Sequence, residues 1–373
     1  MMELSPERRR LLELVGGAAP AAPPSISLFF FAADLHDEPE AKYDLILRCA
    51  ELADEVGLHA VWAPERHFDE FGAPYPNPAL LLAAVAARTR RLRLRAGSVV
   101  LPLHDPLLVA EEWGVLDALS RGRAGLALAS GWHADDFVLR PEAFADRKAV
   151  LVESYRALLR LWRGEGVKRE TPDGRVLDVR THPRPRRELP TWLTSTANPA
   201  TWRTAAELGL NVLTALLEQT VEEVAERVAG YRRALVAHGH LTRPEVTLML
   251  HTHLGPDDDT VRQRVRRPLL DYLSAHLDLF AKQAAASGAG VRPEDVSPAD
   301  REFLLEHGLS RYYSSAGLFG TPESCLPTVD RVAEAGVTEL GCLVDFGLPA
   351  EQVLECVRLL GELNTALRAR AAR

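Results

Sequence analysis

Eight times along the 373 residues, a short β-rich run gives way to a helical pattern, and that alternation restricts the fold more than any other feature. The extended runs are Ile26–Ala32, His59–Ala63, Leu92–Val100, Ala124–Ala129, Thr191–Thr194, Asn211–Thr214, Val246–His253 and Glu339–Asp345. Helical spacing follows at Lys42–Val56, Pro78–Arg90, Pro106–Leu119, Ala143–Arg163, Pro199–Leu208, Val221–His238, in the region after His253, and at Pro349–Arg370. Several helix starts carry residues that satisfy the free N–H groups of a first turn: Asn77-Pro78, Asp105-Pro106, Asn198-Pro199, and the capping box of Thr220 with Glu223. Eight β-then-α units predict an α/β fold, a (β/α)8 TIM barrel, rather than an open doubly wound sheet. A dinucleotide-binding sheet would also carry a glycine fingerprint after its first strand. The nearest candidate, Gly164-Glu165-Gly166, lacks the third glycine and follows a helix.

Two intervals exceed what a minimal barrel requires. Gly164–Pro190, between strands 4 and 5, is rich in Pro and Arg and reads as a solvated connection or a docking patch. Leu254–Thr338, between strands 7 and 8, carries helical segments of its own, as lids and substrate platforms at the catalytic face do. Residues 1–24 are expected to form an N-terminal helix and an Ala/Pro-rich linker, with the barrel occupying 25–373.

A net charge of −8 and a pI near 5.9 argue against nucleic acid as a partner. The longest apolar run, Ile26–Ala33, is too short to span a bilayer, and the N-terminus lacks a signal-peptide core. A cytoplasmic protein is therefore expected. The cysteines, Cys49, Cys325, Cys342 and Cys356, have no metal-ligand spacing and read as buried free thiols.

The densest chemistry lies in WAPERHFDEFGAPYPNP, Trp62 to Pro78, where an apolar strand stops at Glu65-Arg66-His67-Phe68. Ionisable residues at the C-terminal end of a barrel strand are where such a fold keeps its chemistry; a salt-bridged loop is the plainer reading. In strand 7, period-two alternation puts Met249, His251 and His253 on the inward face and Leu248 and Leu250 under the helices. The histidines are core residues or site residues, and no carboxylate at ligand spacing suggests a metal. The loop TSTANPAT leads into a helix N-terminus, which suits an anion such as a phosphate or only needs the cap of Asn198. Strands 3 and 4 end in small residues that admit a flat ring close to the backbone, and His104 and His133 share that rim. No Walker loop, HExxH or G-x-S-x-G is present. Difficult chemistry would then fall to a bound cofactor.

ERHFDEFG, AGSVVLPLHDP, LDALSRGRAGLALASGW and TAAELG together resemble, in order, blocks of the bacterial luciferase-like flavin monooxygenases. RYYSSAGLFGTPESC and GVTELGCLVDFG further resemble the subgroup associated with nonribosomal-peptide and polyketide assembly lines. The resemblance implies a TIM barrel, usually dimeric, that binds FMNH2 supplied by a separate flavin reductase and uses O2 through a flavin peroxide. Gly97 and Ser98 would flank a cis bond against the ring. Ser130 and the backbone at Trp132 would contact ring or phosphate, and Ala197, Asn198 and Thr201 would cradle the phosphate. His67 would manage protons, with Arg66 favouring the oxygenated flavin anion or orienting a substrate carbonyl, and with His104 and His253 as further catalytic candidates. Arg66 stands where the family has its first histidine, and Ser130 where it has a phosphate-binding arginine, so aldehyde oxidation with light emission is not expected. The implied substrate is an acyl or aminoacyl group on a carrier protein, hydroxylated at carbon or nitrogen. A deazaflavin (F420) oxidoreductase of the same fold and a non-catalytic flavin or carrier-binding module are the rival readings.

Overall fold

The computed structural model describes residues 22–31, 38–68, 75–217, 219–286 and 297–371. The proposed N-terminal helix and most of its linker lie outside the described residues, as does the Asp69–Pro74 part of the motif after strand 2. In chain order the strands are β1 (Ser25–Phe29), β2 (Ala60–Ala63), β3 (Arg93–Val100), β4 (Ala124–Ala129), β5 (Val167–Glu170), β6 (Val176–Val179), β7 (Thr191–Thr194), β8 (Asn211–Ala215), β9 (Val246–Leu254), β10 (Gly317–Gly320) and β11 (Glu339–Leu343). Parallel pairing runs β1-β2-β3-β4-β7-β8-β9-β11 and returns to β1, so the eight strands read from the sequence form the closed ring of a (β/α)8 barrel. The first and last strands stop short of the expected Ala32 and Asp345, at Phe29 and Leu343.

The flanking helices are α1 (Pro39–Glu55), α2 (Pro78–Arg88), α3 (Pro106–Ser120), α4 (Arg147–Trp162), α5 (Pro199–Leu208), α6 (Val221–Ala237), α7 (Asp258–Ala286), α8 (Pro298–Arg311), α9 (Leu326–Glu334) and α10 (Ala350–Ala371). Their predicted start signals operate. Asn77 accepts from the Leu80 N–H, Asp105 from the Leu107 N–H and Asn198 from the Ala200 N–H, while Thr220 and Glu223 cap each other. All four cysteines are free and buried.

The first insertion contains more order than its sequence suggested, and the second adds a strand to the helical segments expected of it. Gly164–Pro190 holds the antiparallel hairpin β5–β6, turning at Gly174 with φ +81, rather than an irregular connection. Leu254–Thr338 supplies α7, α8, α9 and β10. That last strand pairs with β9 from His251 to Leu254, just where β11 leaves it at the His251–Leu343 register.

The lower barrel interior is filled by a charged pair. Glu339 accepts from Ser27 Oγ (2.5 Å), Trp62 Nε1 (3.0 Å), Thr247 Oγ1 (2.9 Å) and Arg95 Nη1. The Arg95 guanidinium lies against the rings of both Trp62 and Trp192, at 5.0 and 4.2 Å from their centroids, and meets His59 Nε2 at 3.1 Å. Burial opposes ionisation of Glu339, but Arg95 and these donors outweigh it and hold its carboxyl below the ordinary range. Removing one member of a buried pair strands the other charge. Arg95→Met should therefore lower the free energy of unfolding by about 3–5 kcal/mol in urea titrations. A loss under about 1 kcal/mol, the scale of an exposed pair, would show that the plug does not hold the barrel.

Candidate active site

Beyond β2 the chain passes Pro64 and places Glu65 across the end of β3. Its N–H donates to the Ser98 carbonyl (3.1 Å), and its Oε2 accepts the Val100 N–H (2.7 Å). Its Oε1 accepts from His67 Nε2 (2.8 Å) and from His104 Nε2 (2.5 Å). A short 3-10 turn, Leu101–Leu103, carries the chain from β3 to His104. One buried carboxylate thus ties the ends of β2 and β3 and the approach to α3. Burial pushes Glu65 up, but the hydrogen bonds from the two histidines, the His104 charge and the Val100 N–H bring it down to about 2. Burial pushes His104 down, and the Glu65 hydrogen bond and charge more than offset it, leaving the imidazole above its ordinary range. The ligand atoms of Glu65, His67 and His104 lie within 4.8 Å of one another, but these contacts already engage them with each other.

Arg66 turns the other way and is only 4% exposed. Its Nη1 faces Asp136 Oδ2 at 3.5 Å, and its Cζ sits 5.3 Å from the centroid of the Trp132 ring. His133 Nδ1 meets the other Asp136 oxygen at 3.3 Å. Burial raises the Asp136 carboxyl against the pull of Arg66 and His133. The loop after β4 can place these residues because it turns at Gly131, where φ is +76 and a Cβ would strike Phe137 and Val100. Between the two clusters lies the end of β3, and the Gly97–Ser98 peptide there is cis. A Cβ on Gly97 would come within 2.8 Å of the Phe29 ring and 3.1 Å of Trp62, so only glycine permits that approach.

Further round the mouth, Ser130 and Ala197 are half-buried and Trp132 is 42% exposed. Asn198 spends its side chain on the cap of α5, whose first turn includes Thr201. Thr194 Oγ1, at the end of β7, is buried without a hydrogen-bond partner among the described residues. Past β11, Asp345 accepts from the Phe31 N–H (2.7 Å) and Tyr75 Oη (2.6 Å), and burial pushes it up to about 6 despite these bonds.

The strand-9 histidines do not join this group. His251 is enclosed by Tyr272, Tyr312 and Phe346, with ring centroids 4.4–5.4 Å away, and is a core residue. His253, expected on the rim, is fully buried where β10 covers β9. Burial, with Arg264 nearby, drives it down to about 4. The alternation assigned the inward face correctly but could not reveal that β9 outruns the ring. Conversely, sequence reasoning named Glu65 in the ionisable cluster without giving it a role, and passed over Asp136, Asp345 and Tyr75. Glu65 alone carried a signal, as the first ionisable residue after an apolar strand.

The Glu65 contribution to stability is complete above its ordinary pKa of 4.5 and is lost as pH falls through about 2. That of His104 is complete below its ordinary 6.5 and is lost as pH rises through its higher folded value. The gap in unfolding free energy between the parent chain and Glu65→Gln should thus be widest between about pH 4.5 and 6.5 and narrow on either side. Urea titrations across that range check this, and a gap independent of pH would contradict it.

The luciferase-like monooxygenase family profile matches residues 25–339. The oxygenase component of flavin-dependent trigonelline monooxygenase from Acinetobacter baylyi is 28% identical over 240 residues, 62% of this chain and 66% of that one. Limonene 1,2-monooxygenase from Rhodococcus erythropolis is 28% identical over 293 residues, 77% and 71% of the two chains. The structure of monooxygenase RslO1 from Streptomyces bottropensis superimposes with a TM-score of 0.72 at 25% identity, covering 91% of this chain and 98% of that one. The oxygenating constituent of 3,6-diketocamphane monooxygenase from Pseudomonas putida, in complex with FMN, gives 0.74 over 92% and 98%; at 17% identity it shows a shared fold. The match starts at the first residue of β1 and ends at the first of β11, taking in nearly the whole ring and the rim segments up to β11. The chain belongs to the luciferase-like monooxygenase family.

Proposed function

We propose that the chain is the oxygenase of a two-component monooxygenase that takes FMNH2 from a separate reductase and hydroxylates an acyl or aminoacyl intermediate at carbon or nitrogen. The observation that carries this reading is the gathering of Glu65, Arg66, His67 and His104 around the Gly97–Ser98 end of β3, at the catalytic face of the barrel. The residues fit the cofactor. Gly97, Ser98, Ala129, Ser130 and Gly131 have small side chains or none and are all partly exposed, which suits a flat ring, and Thr194 offers an unsatisfied hydroxyl beside the N-terminus of α5. A reductase partner is supported by the relative described as an oxygenase component. Natural-product chemistry is supported by 4-hydroxyprotoasukamycin monooxygenase of Streptomyces nodosus subsp. asukaensis, 34% identical over 190 residues. Tethering of the substrate to a carrier protein, a homodimer, an N-terminal helix and linker over residues 1–24 and a cytoplasmic setting belong to the same proposal.

Bound FMNH2 would supply the electron pair that sends one oxygen atom of O2 to product and the other to water. The chain's own groups hold and orient. The backbone around Gly97–Ser98 and Ser130–Trp132 would hold the ring, and Ala197, Asn198 and Thr201, at the N-terminus of α5, would hold the phosphate. His67 keeps Nε2 on the Glu65 carboxylate, which leaves Nδ1 to accept or return a proton at the mouth. Trp132, partly exposed at the same mouth, would help to limit water there.

Anaerobic titration should show tight binding of reduced FMN, followed by O2-dependent hydroxylation once substrate is added. Preferential binding of a deazaflavin, with hydride transfer and no oxygen uptake, would replace this reading with that of an oxidoreductase on the same barrel. His67→Ala should retain FMN binding and lose product; full turnover would remove His67 from the mechanism. Thr201→Asp puts a like charge at the phosphate while suiting a helix start, so FMN affinity should fall about tenfold or more with riboflavin affinity unchanged. Equal losses for both would place the phosphate elsewhere.

A further inference from the structure

We propose that the Nε–Nη2 edge of Arg66 is a docking fork for a carboxylate carried by the substrate. This deepens the monooxygenase reading and rests on it. The guanidinium is held on its other sides. Nη1 faces Asp136 at 3.5 Å and the Trp132 ring lies 5.3 Å from Cζ, while the residue's backbone N–H is anchored on the Tyr75 carbonyl (2.9 Å). Nε and Nη2 are both sealed from solvent and have no hydrogen-bond partner among the described residues. Their N–H bonds run parallel along one edge, the geometry that grips both oxygens of a carboxylate.

Buried donors of this strength are rarely left unmet, and a whole vacant edge sets Arg66 apart. Arg227, Arg232 and Arg331 each lack a partner at a single nitrogen, and the equally buried Arg95 has both terminal nitrogens engaged. The position also suits a substrate contact. Arg66 leaves β2 and reaches the loop after β4, and β3 lies between those strands in the ring. The guanidinium therefore spans the Gly97–Ser98 end of β3, next to His67. Asp136 shares its charge with His133, which moderates its competition with a second carboxylate for Arg66. A free amino acid or acid would offer its own carboxylate. A tethered acyl group, whose carboxyl is tied up in the thioester, would need a second one.

The test is equilibrium binding of benzoate and its uncharged isostere benzamide to the full chain with oxidised FMN present, followed by calorimetry. The parent should prefer benzoate by about tenfold or more, because benzamide offers one acceptor oxygen and turns donors toward the fork. Arg66→Lys keeps the charge opposite Asp136 but has no planar edge, so benzoate should weaken by about tenfold. Arg66→Gln should abolish the preference. The proposal is overturned if the parent binds no benzoate, binds both probes alike, or if the preference survives in Arg66→Gln. Flavin fluorescence in the same samples separates the two readings. Intact FMN binding without a benzoate preference removes the fork alone, whereas absent FMN binding removes the flavin reading whatever benzoate does.

Discussion

A buried arginine–glutamate pair organises this barrel. Arg95 and Glu339 draw Ser27 of β1, Trp62 of β2, Trp192 of β7 and Thr247 of β9 into one interior layer. Desolvating two charges is costly, and the arrangement tolerates it because the carboxylate receives four donors and the guanidinium packs against two indole rings. The Glu339 carboxylate is saturated by these donors, while the Trp192 indole N–H is buried without a hydrogen-bond partner among the described residues. This layer forms a floor, and the Glu65, Arg66, His67 and His104 cluster lies at the opposite end, where the strands finish in small residues.

The upper carboxylates show how environment divides the roles of identical groups. Glu65 is buried but receives hydrogen bonds from two imidazoles and a backbone N–H, so it stays ionised. Asp345 is as deeply buried, and there burial outweighs the Tyr75 phenol, the Phe31 N–H and the Lys42 charge, so its proton is held far more tightly. Glu65 can therefore orient His67 and sustain charge on His104, whereas Asp345 ties the end of β11 to Phe31 and Tyr75. Arg66 is held by Asp136 and Trp132 in a pose with one edge uncommitted. Proton handling and substrate docking would thus sit on adjacent residues, braced by the ends of different strands.

Much of the architecture was legible in the sequence. All eight barrel strands were recognised, with errors of a few residues at β1 and β11, because alternation and Asn/Asp-Pro caps are local signals. The hairpin β5–β6 was missed because its strands are short and its residues mostly exposed, so no apolar alternation marks them. Of the candidate site residues, Arg66, His67, His104, Gly97 and Ser98 converge at one end of the barrel, and Ser130, Trp132, Ala197, Asn198 and Thr201 lie around the same mouth. His253 was expected on the rim but is fully buried, because β9 continues past the ring to pair with β10, a strand contributed from far along the chain.

The sequence by itself determined the order of β and α units, the helix starts and the strand ends that carry ionisable groups, because each depends on residues within a few positions of one another. Only the tertiary structure decided which charges meet. Glu65 finds His104 across 39 positions, Arg66 finds Asp136, and Arg95 finds Glu339 across 244. Those pairings set protonation and donor satisfaction through distance and burial, which have no local signature. They exist only once the ring has closed and water has been excluded.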